Sequence, residues 1–151
     1  MTITFVGHGY VGSVTAAVFA DLGNTVWVVG RTREKIENLR VGITPFFEPG
    51  LTEVVRRNLK AGRLKFTLDY GQAVPGSEVV FIAVGTPPKK TGEADLTSVF
   101  AAAKDIGKNL DGYTVVVTKS TVPPGTNRKV GEIVAEFKPT KASFDIASCP
   151  E

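Results

Sequence analysis

The chain has 151 residues, with 18 basic against 15 acidic side chains for a formal charge of +3, 22% charged residues and 42% hydrophobic ones. This is the length and balance of one ordinary globular domain, able to bury roughly two-thirds of its unfolded surface without disulfides or a metal. Nine Phe argue against disorder, +3 with no basic stripe argues against nucleic acid, and the longest clean apolar run, Val79 to Val84, falls far short of the ~18 residues of a membrane span.

Ile3-Thr4-Phe5-Val6 reads as a first buried strand. It starts almost at Met1 with no charged n-region before it, so no signal peptide is expected. Val11 to Leu22 follows with small and apolar residues at helical spacing, and Gly23 stops it. Val26-Trp27-Val28-Val29 is a second strand. Thr32 to Leu39 is a short helix with Thr32 placed as its N-cap. Gly42 to Gly50 is a loop containing Pro45 and Pro49. Leu51 to Ala61 is helical, with Leu51, Val54, Val55 and Leu59 on one face. Leu64 to Thr67 is a third strand. Val79 to Val84 is a fourth, apolar throughout and so expected to be buried on both faces.

A loop from Gly85 to Gly92 comes next. Asp95 caps a helix to about Leu110, with Leu96, Val99, Phe100, Ala103 and Ile106 turned inward. Tyr113 to Val117 is a fifth strand, Thr126 to Phe137 a helix and Phe144 to Ala147 a sixth strand. Strands separated by crossover helices predict an α/β fold: a Rossmann-type, doubly wound, mostly parallel six-stranded sheet with helices on both faces. In such sheets ligands bind at the carboxyl ends of the strands, where the strand order reverses.

The loops at those ends carry the chemistry. Gly7-His8-Gly9-Tyr10-Val11-Gly12 is a G-x-G-x-x-G between a strand and a helix, the context that distinguishes a dinucleotide loop from a structural glycine turn. Gly7 allows the tight turn, Gly9 lets a pyrophosphate approach, and Gly12 lets the helix pack closely. His8 sits at a variable position, and no catalytic role is expected of it. An NAD site needs a carboxylate about 20 residues further on, at the end of the second strand. That position is Gly30, followed by Arg31-Thr32-Arg33. Gly30 is read as leaving room for a 2′-phosphate, and the forks of Arg31 and Arg33 suit that group. NADP is therefore expected to be favoured over NAD, and Gly30→Asp to swing the preference back. The alternative is that Arg31 stacks on adenine and Arg33 is solvated.

Gly85-Thr86-Pro87-Pro88 ends the fourth strand and fits a phosphate or ribose contact, or an ordinary proline loop. Lys119-Ser120-Thr121-Val122-Pro123 ends the fifth. Its hydroxyls either face the nicotinamide end, holding a water or substrate oxygen, or cap a helix. Phe47-Glu48-Pro49-Gly50-Leu51 reads as a turn. The lone Cys149 excludes an internal disulfide and reads as a small residue beside the last strand. With a single His, no metal site is expected, and a cytoplasmic location follows by default.

Taken together, these motifs resemble the N-terminal coenzyme domain of the UDP-glucose/GDP-mannose 6-dehydrogenase family. The resemblance spans the whole chain and rests on the glycine loop, Glu48-Pro49-Gly50-Leu51, Thr86-Pro87 with Gly92 and Asp95-Leu96, Lys119 to Pro123, and Pro150-Glu151. It implies oxidation of a nucleotide sugar at C6 from alcohol to carboxylate by two hydride transfers through a cysteine thioester. It implies that Gly7, Gly9, Tyr10, Val11 and Gly12 hold the cofactor pyrophosphate, and that Lys35 contacts the adenosine half. Val84, Gly85, Thr86, Pro87 and Ser120 match cofactor contacts. Thr121 matches a threonine that helps place the catalytic water, and Glu151 the glutamate that opens the substrate-binding segment. Gly30 departs from the family's aspartate, and Cys149 stands where asparagine is common. The family's catalytic cysteine, its other catalytic residues and its main dimer helix lie in central and C-terminal domains outside this chain. Residues 1–151 are thus expected to bind NAD(P) without turning over substrate. A 6-phosphogluconate-type dehydrogenase domain and a stand-alone nucleotide-binding module are the competing readings.

Overall fold

A computed structural model of the chain describes residues 1–150. Six strands, β1 (Thr2–Val6), β2 (Thr25–Val29), β3 (Leu64–Thr67), β4 (Val79–Ile82), β5 (Tyr113–Thr118) and β6 (Ser143–Ser148), form one sheet in the order β3-β2-β1-β4-β5-β6. Every pairing is parallel. The helices are α1 (Tyr10–Asp21), α2 (Arg33–Arg40), α3 (Leu51–Lys60), α4 (Tyr70–Ala73), α5 (Thr97–Asn109) and α6 (Thr126–Phe137).

Alternation along each strand feeds two cores. Ile3 and Phe5 of β1 pack with Val26 and Val28 of β2 against α1, α2 and α3. Val6, Val80, Ile82 and Val116 point the other way, against α4, α5 and α6. The first core holds the Phe5 and Phe81 rings stacked 4.7 Å apart. Helix α1 reaches the sheet because its buried face is Gly12, Ser13, Ala16, Ala17 and Ala20, side chains short enough for close approach. The order reverses between β1 and β4, so the cleft between their carboxyl ends is the switch point.

Most expected elements are present within a residue or two. Helix α4 was not expected: it is a single turn, started by the Asp69 carboxylate accepting the Gly71 N–H at 2.8 Å. The fourth strand ends at Ile82, and its residues alternate between half-buried and buried. Thr32 is the N-cap of α2, but its hydroxyl makes no capping bond. The Asp95 carboxylate does accept the Thr97 N–H, at 2.9 Å.

Candidate functional site

Gly7 leaves β1 with φ +124°, and a Cβ there would lie 2.2 Å from the Ala83 carbonyl oxygen. Only glycine can make this turn, which the Gly7 N–H fixes by donating to the Val29 carbonyl at 2.9 Å. A Cβ on Gly12 would meet the Gly7 carbonyl oxygen at 2.2 Å, so α1 starts in direct contact with the loop. Gly9 is the opposite case. It is the N-cap of α1, no side chain caps the helix, and nothing lies within 4 Å of its Cβ position. An uncapped helix start with an open glycine in front of it can receive a phosphate on its N–H groups, aided by roughly half a positive charge from the helix dipole.

A cleft of about 260 Å³ opens there. Gly9, Tyr10 and Val11 form one wall, Ala83 to Thr86 a second, and Lys119, Ser120 and Thr121 a third. The second and third walls are tied together. The Ser120 hydroxyl donates to the Val84 carbonyl at 2.6 Å, and the Thr86 hydroxyl to the Thr121 carbonyl at 3.1 Å. Helix α6 is capped instead by Gly125, and the capping alternative for Ser120 and Thr121 is thereby removed. Pro87 lies beyond the lining, where its carbonyl accepts the Asp95 N–H at 2.8 Å.

A second cluster forms at the end of β2, where Gly30, Arg31, Arg33 and Lys35 were expected. The room at Gly30 is not empty. A Cβ there would lie 2.5 Å from Ile36 Cδ1 and 2.8 Å from His8 Nδ1. An isoleucine side chain and the imidazole from the glycine loop stand where a side chain at position 30 would begin. Burial and the positive charges of Lys35 and Arg31 hold the His8 pKa below its ordinary value. Arg33 is turned outward to Glu37 at 3.7 Å, with its side chain 78% exposed.

Two contacts were not expected from sequence. The Tyr10 hydroxyl donates to Glu48 Oε2 at 2.6 Å, and the Tyr10 ring lies 5.1 Å from that of Phe46. The Glu48-Pro49-Gly50-Leu51 turn is therefore tied to the glycine loop as well as starting α3. A hollow of about 530 Å³ lies along this turn, between Thr44 and Glu53. Cys149 is exposed beside the last strand, its N–H donating to the Thr118 carbonyl at 3.0 Å. Glu151 lies outside the described residues. Among the described residues, no group of three His, Cys, Asp or Glu side chains is placed to hold a metal. No helix among them is long and apolar enough to cross a membrane.

The model of the NAD-binding domain of the UDP-glucose/GDP-mannose dehydrogenase family matches residues 1–151. The chain is 48% identical over 149 residues to the UDP-glucose 6-dehydrogenase TuaD of Bacillus subtilis, covering 99% of this chain and 32% of that protein. It is 51% identical over 152 residues to a UDP-glucose 6-dehydrogenase of Rhizobium meliloti, covering 100% of this chain and 35% of the relative. The chain thus spans about a third of the length of the curated relatives it matches. Among solved structures, a GDP-mannose dehydrogenase from Pseudomonas aeruginosa superposes with a TM-score of 0.94 at 36% identity, over 100% of this chain and 36% of that one. A UDP-glucose dehydrogenase from Pyrobaculum islandicum gives 0.93 at 42% identity, over 99% and 35%.

Proposed function

The chain belongs to the UDP-glucose/GDP-mannose dehydrogenase family as its NAD-binding domain, and from that premise we propose that it holds NAD(P) for oxidation of a nucleotide sugar, UDP-glucose foremost, at C6. The observation that carries the reading is the glycine loop: Gly7 and Gly12 closed against backbone, with Gly9 open in front of an uncapped helix. That cradle fits a pyrophosphate. Taking an alcohol to a carboxylate removes four electrons, so two cofactor molecules, bound in turn, would each accept one hydride, and one water would supply the second oxygen.

The chain's own residues bind and orient. Gly9, Tyr10 and Val11 take the pyrophosphate. Val84, Gly85, Thr86 and Ser120 define the far walls of the cleft, with Pro87 steadying the loop behind them. Thr121, exposed on the lining, offers a hydroxyl to the reacting water, and Glu151 opens the substrate-binding segment. Arg31 and Lys35 face the adenosine half, with Arg33 in reserve at the surface. The exposed Cys149 thiol suits a reducing compartment, and the cytoplasm is the proposed location. The cysteine chemistry, most sugar contacts and the dimer helix belong to other parts of a family enzyme.

NADP is proposed as the preferred cofactor, supported by the absent carboxylate at Gly30 and the cations beside it. One charge-assisted hydrogen bond contributes ~1.5–3 kcal/mol, enough for tenfold discrimination. Calorimetric titration with both cofactors is the test. Binding of both with NADP tighter is expected. Equal or tighter NAD binding overturns the preference, and binding of neither overturns the whole reading. Incubation with UDP-glucose and either cofactor should give no sustained reduced cofactor from residues 1–151 alone.

A further inference from the structure

The end of β2 was read from sequence as an NAD site with its carboxylate deleted. The structure shows that a side chain at that position would meet two neighbours. His8 comes from the glycine loop, 22 residues before Gly30, yet its Nδ1 lies 2.8 Å from where a Cβ on Gly30 would stand. Ile36, buried in the core, closes the other side at 2.5 Å. The imidazole is half-buried.

We propose that His8 is a specificity-determining residue for the cofactor's adenosine ribose, its imidazole standing in for the carboxylate of an NAD site and donating an N–H to a 2′-phosphate. The inference rests on the NADP reading above and deepens it. A carboxylate at position 30 accepts hydrogen bonds from a ribose 2′-hydroxyl and repels a 2′-phosphate. An imidazole in the same place reverses both preferences when it is protonated, because both ring nitrogens then donate. The charged groups whose fields reach the ring are Lys35, on α2, and Arg31, following β2. Ile36, the other neighbour of the Gly30 Cβ position, is apolar. Burial first, and then the charges of Lys35 and Arg31, lower the His8 pKa and favour the neutral ring in the free protein. A phosphate dianion entering this cluster reverses the local field and draws a proton onto the ring.

The same packing alters what Gly30→Asp does. The new side chain cannot enter beside His8 and Ile36 as they stand, so both the isoleucine and the imidazole must shift. The single substitution therefore changes two determinants at once, and His8 has to be varied on its own.

The test titrates the wild-type chain, His8→Gln and His8→Asn with adenosine 2′,5′-bisphosphate and with AMP, at about pH 8 and about pH 6, by calorimetry in two buffers of different ionisation heat. The 2′-phosphate has its own second pKa of about 6, which cancels in the ratio of wild-type to variant affinity. That ratio is expected to be near one for AMP at both pH values. For the bisphosphate it should rise as pH falls, to about tenfold at the lower pH, the scale of one charge-assisted hydrogen bond. Wild type should also take up more protons than either variant on binding the bisphosphate. A ratio for the bisphosphate that stays flat and no larger than for AMP overturns the role of His8, while a wild-type preference for the bisphosphate leaves the NADP reading standing. If wild type binds both probes equally, both fall. Unchanged melting temperatures of the variants separate a lost contact from a lost fold.

Discussion

Gly9 and Gly12 lie three residues apart in the same motif under opposite constraints. Gly12 is needed by the fold, because a Cβ would sit 2.2 Å from the Gly7 carbonyl oxygen. Gly12→Ala is expected to cost about 1–3 kcal/mol, the usual range for overpacking, and to lower the melting temperature. Gly9 is needed by the ligand, because its Cβ position faces open space. Gly9→Ala should leave the melting temperature unchanged and weaken NADP binding in titration; a cofactor affinity equal to wild type would remove Gly9 from the pyrophosphate site. The glycine spacing was legible in the sequence because it is local: six consecutive residues carry the turn, the opening and the helix start. The contact of His8 with Gly30 was not legible. It arises only when β1 and β2 pair with Val6 opposite Val29, which brings the residues just beyond each strand together. The Tyr10–Glu48 bond escaped for the same reason, its partners being joined only when α1 and the turn before α3 fold onto one face.

Helices α1 and α3 are tied at their C-terminal halves by a polar knot. The Arg57 guanidinium donates to both oxygens of the Asp21 carboxylate, through Nε at 2.7 Å and through Nη2, and Asn58 Nδ2 donates at 3.0 Å. The Arg57 bond, with that from Asn58, holds the Asp21 carboxyl down at about 2. A carboxyl depressed in the folded state stabilises the fold above its ordinary value of 3.8, and that contribution is lost as pH falls towards 2. Asp21→Asn should therefore melt slightly below wild type near neutral pH, and the gap should close as the solution is acidified towards pH 2. A gap of constant size across that range in thermal melts would contradict the assignment. The effect is small because the pair is solvent-exposed. At this scale the strands were the readable part, since runs such as Val26 to Val29 have no other use for so many β-branched residues. Helix α4 was unreadable. One turn carries no periodicity, and its Gly71 and nearby Pro75 are themselves turn signals.

The whole sheet brings the two loops beyond β4 and β5 against the glycine loop, so cofactor binding should stabilise the entire domain. At a hundredfold excess over Kd, a ligand specific for the folded state contributes about 2.7 kcal/mol. For a chain of this length that is a rise of about 5–10 °C in melting temperature. NADP should produce it at lower concentration than NAD, and a thermal scan with neither cofactor shifting the midpoint would contradict the cleft assignment. The parallel pairing was legible from alternating strands and helices, because crossover connections leave few other arrangements, while the strand order that sets the switch point was not. The ties across the cleft were not, since serine and threonine beside a helix start equally suit a cap. Those ties hold two of the walls to each other: the hydroxyls of Ser120 and Thr86 are committed to carbonyls on the neighbouring loop. A ligand that meets these two loops already joined has no ordering of them to wait for. Its arrival should follow a single exponential whose rate grows in proportion to concentration without a plateau, and the heat capacity change should match the apolar area covered and nothing more.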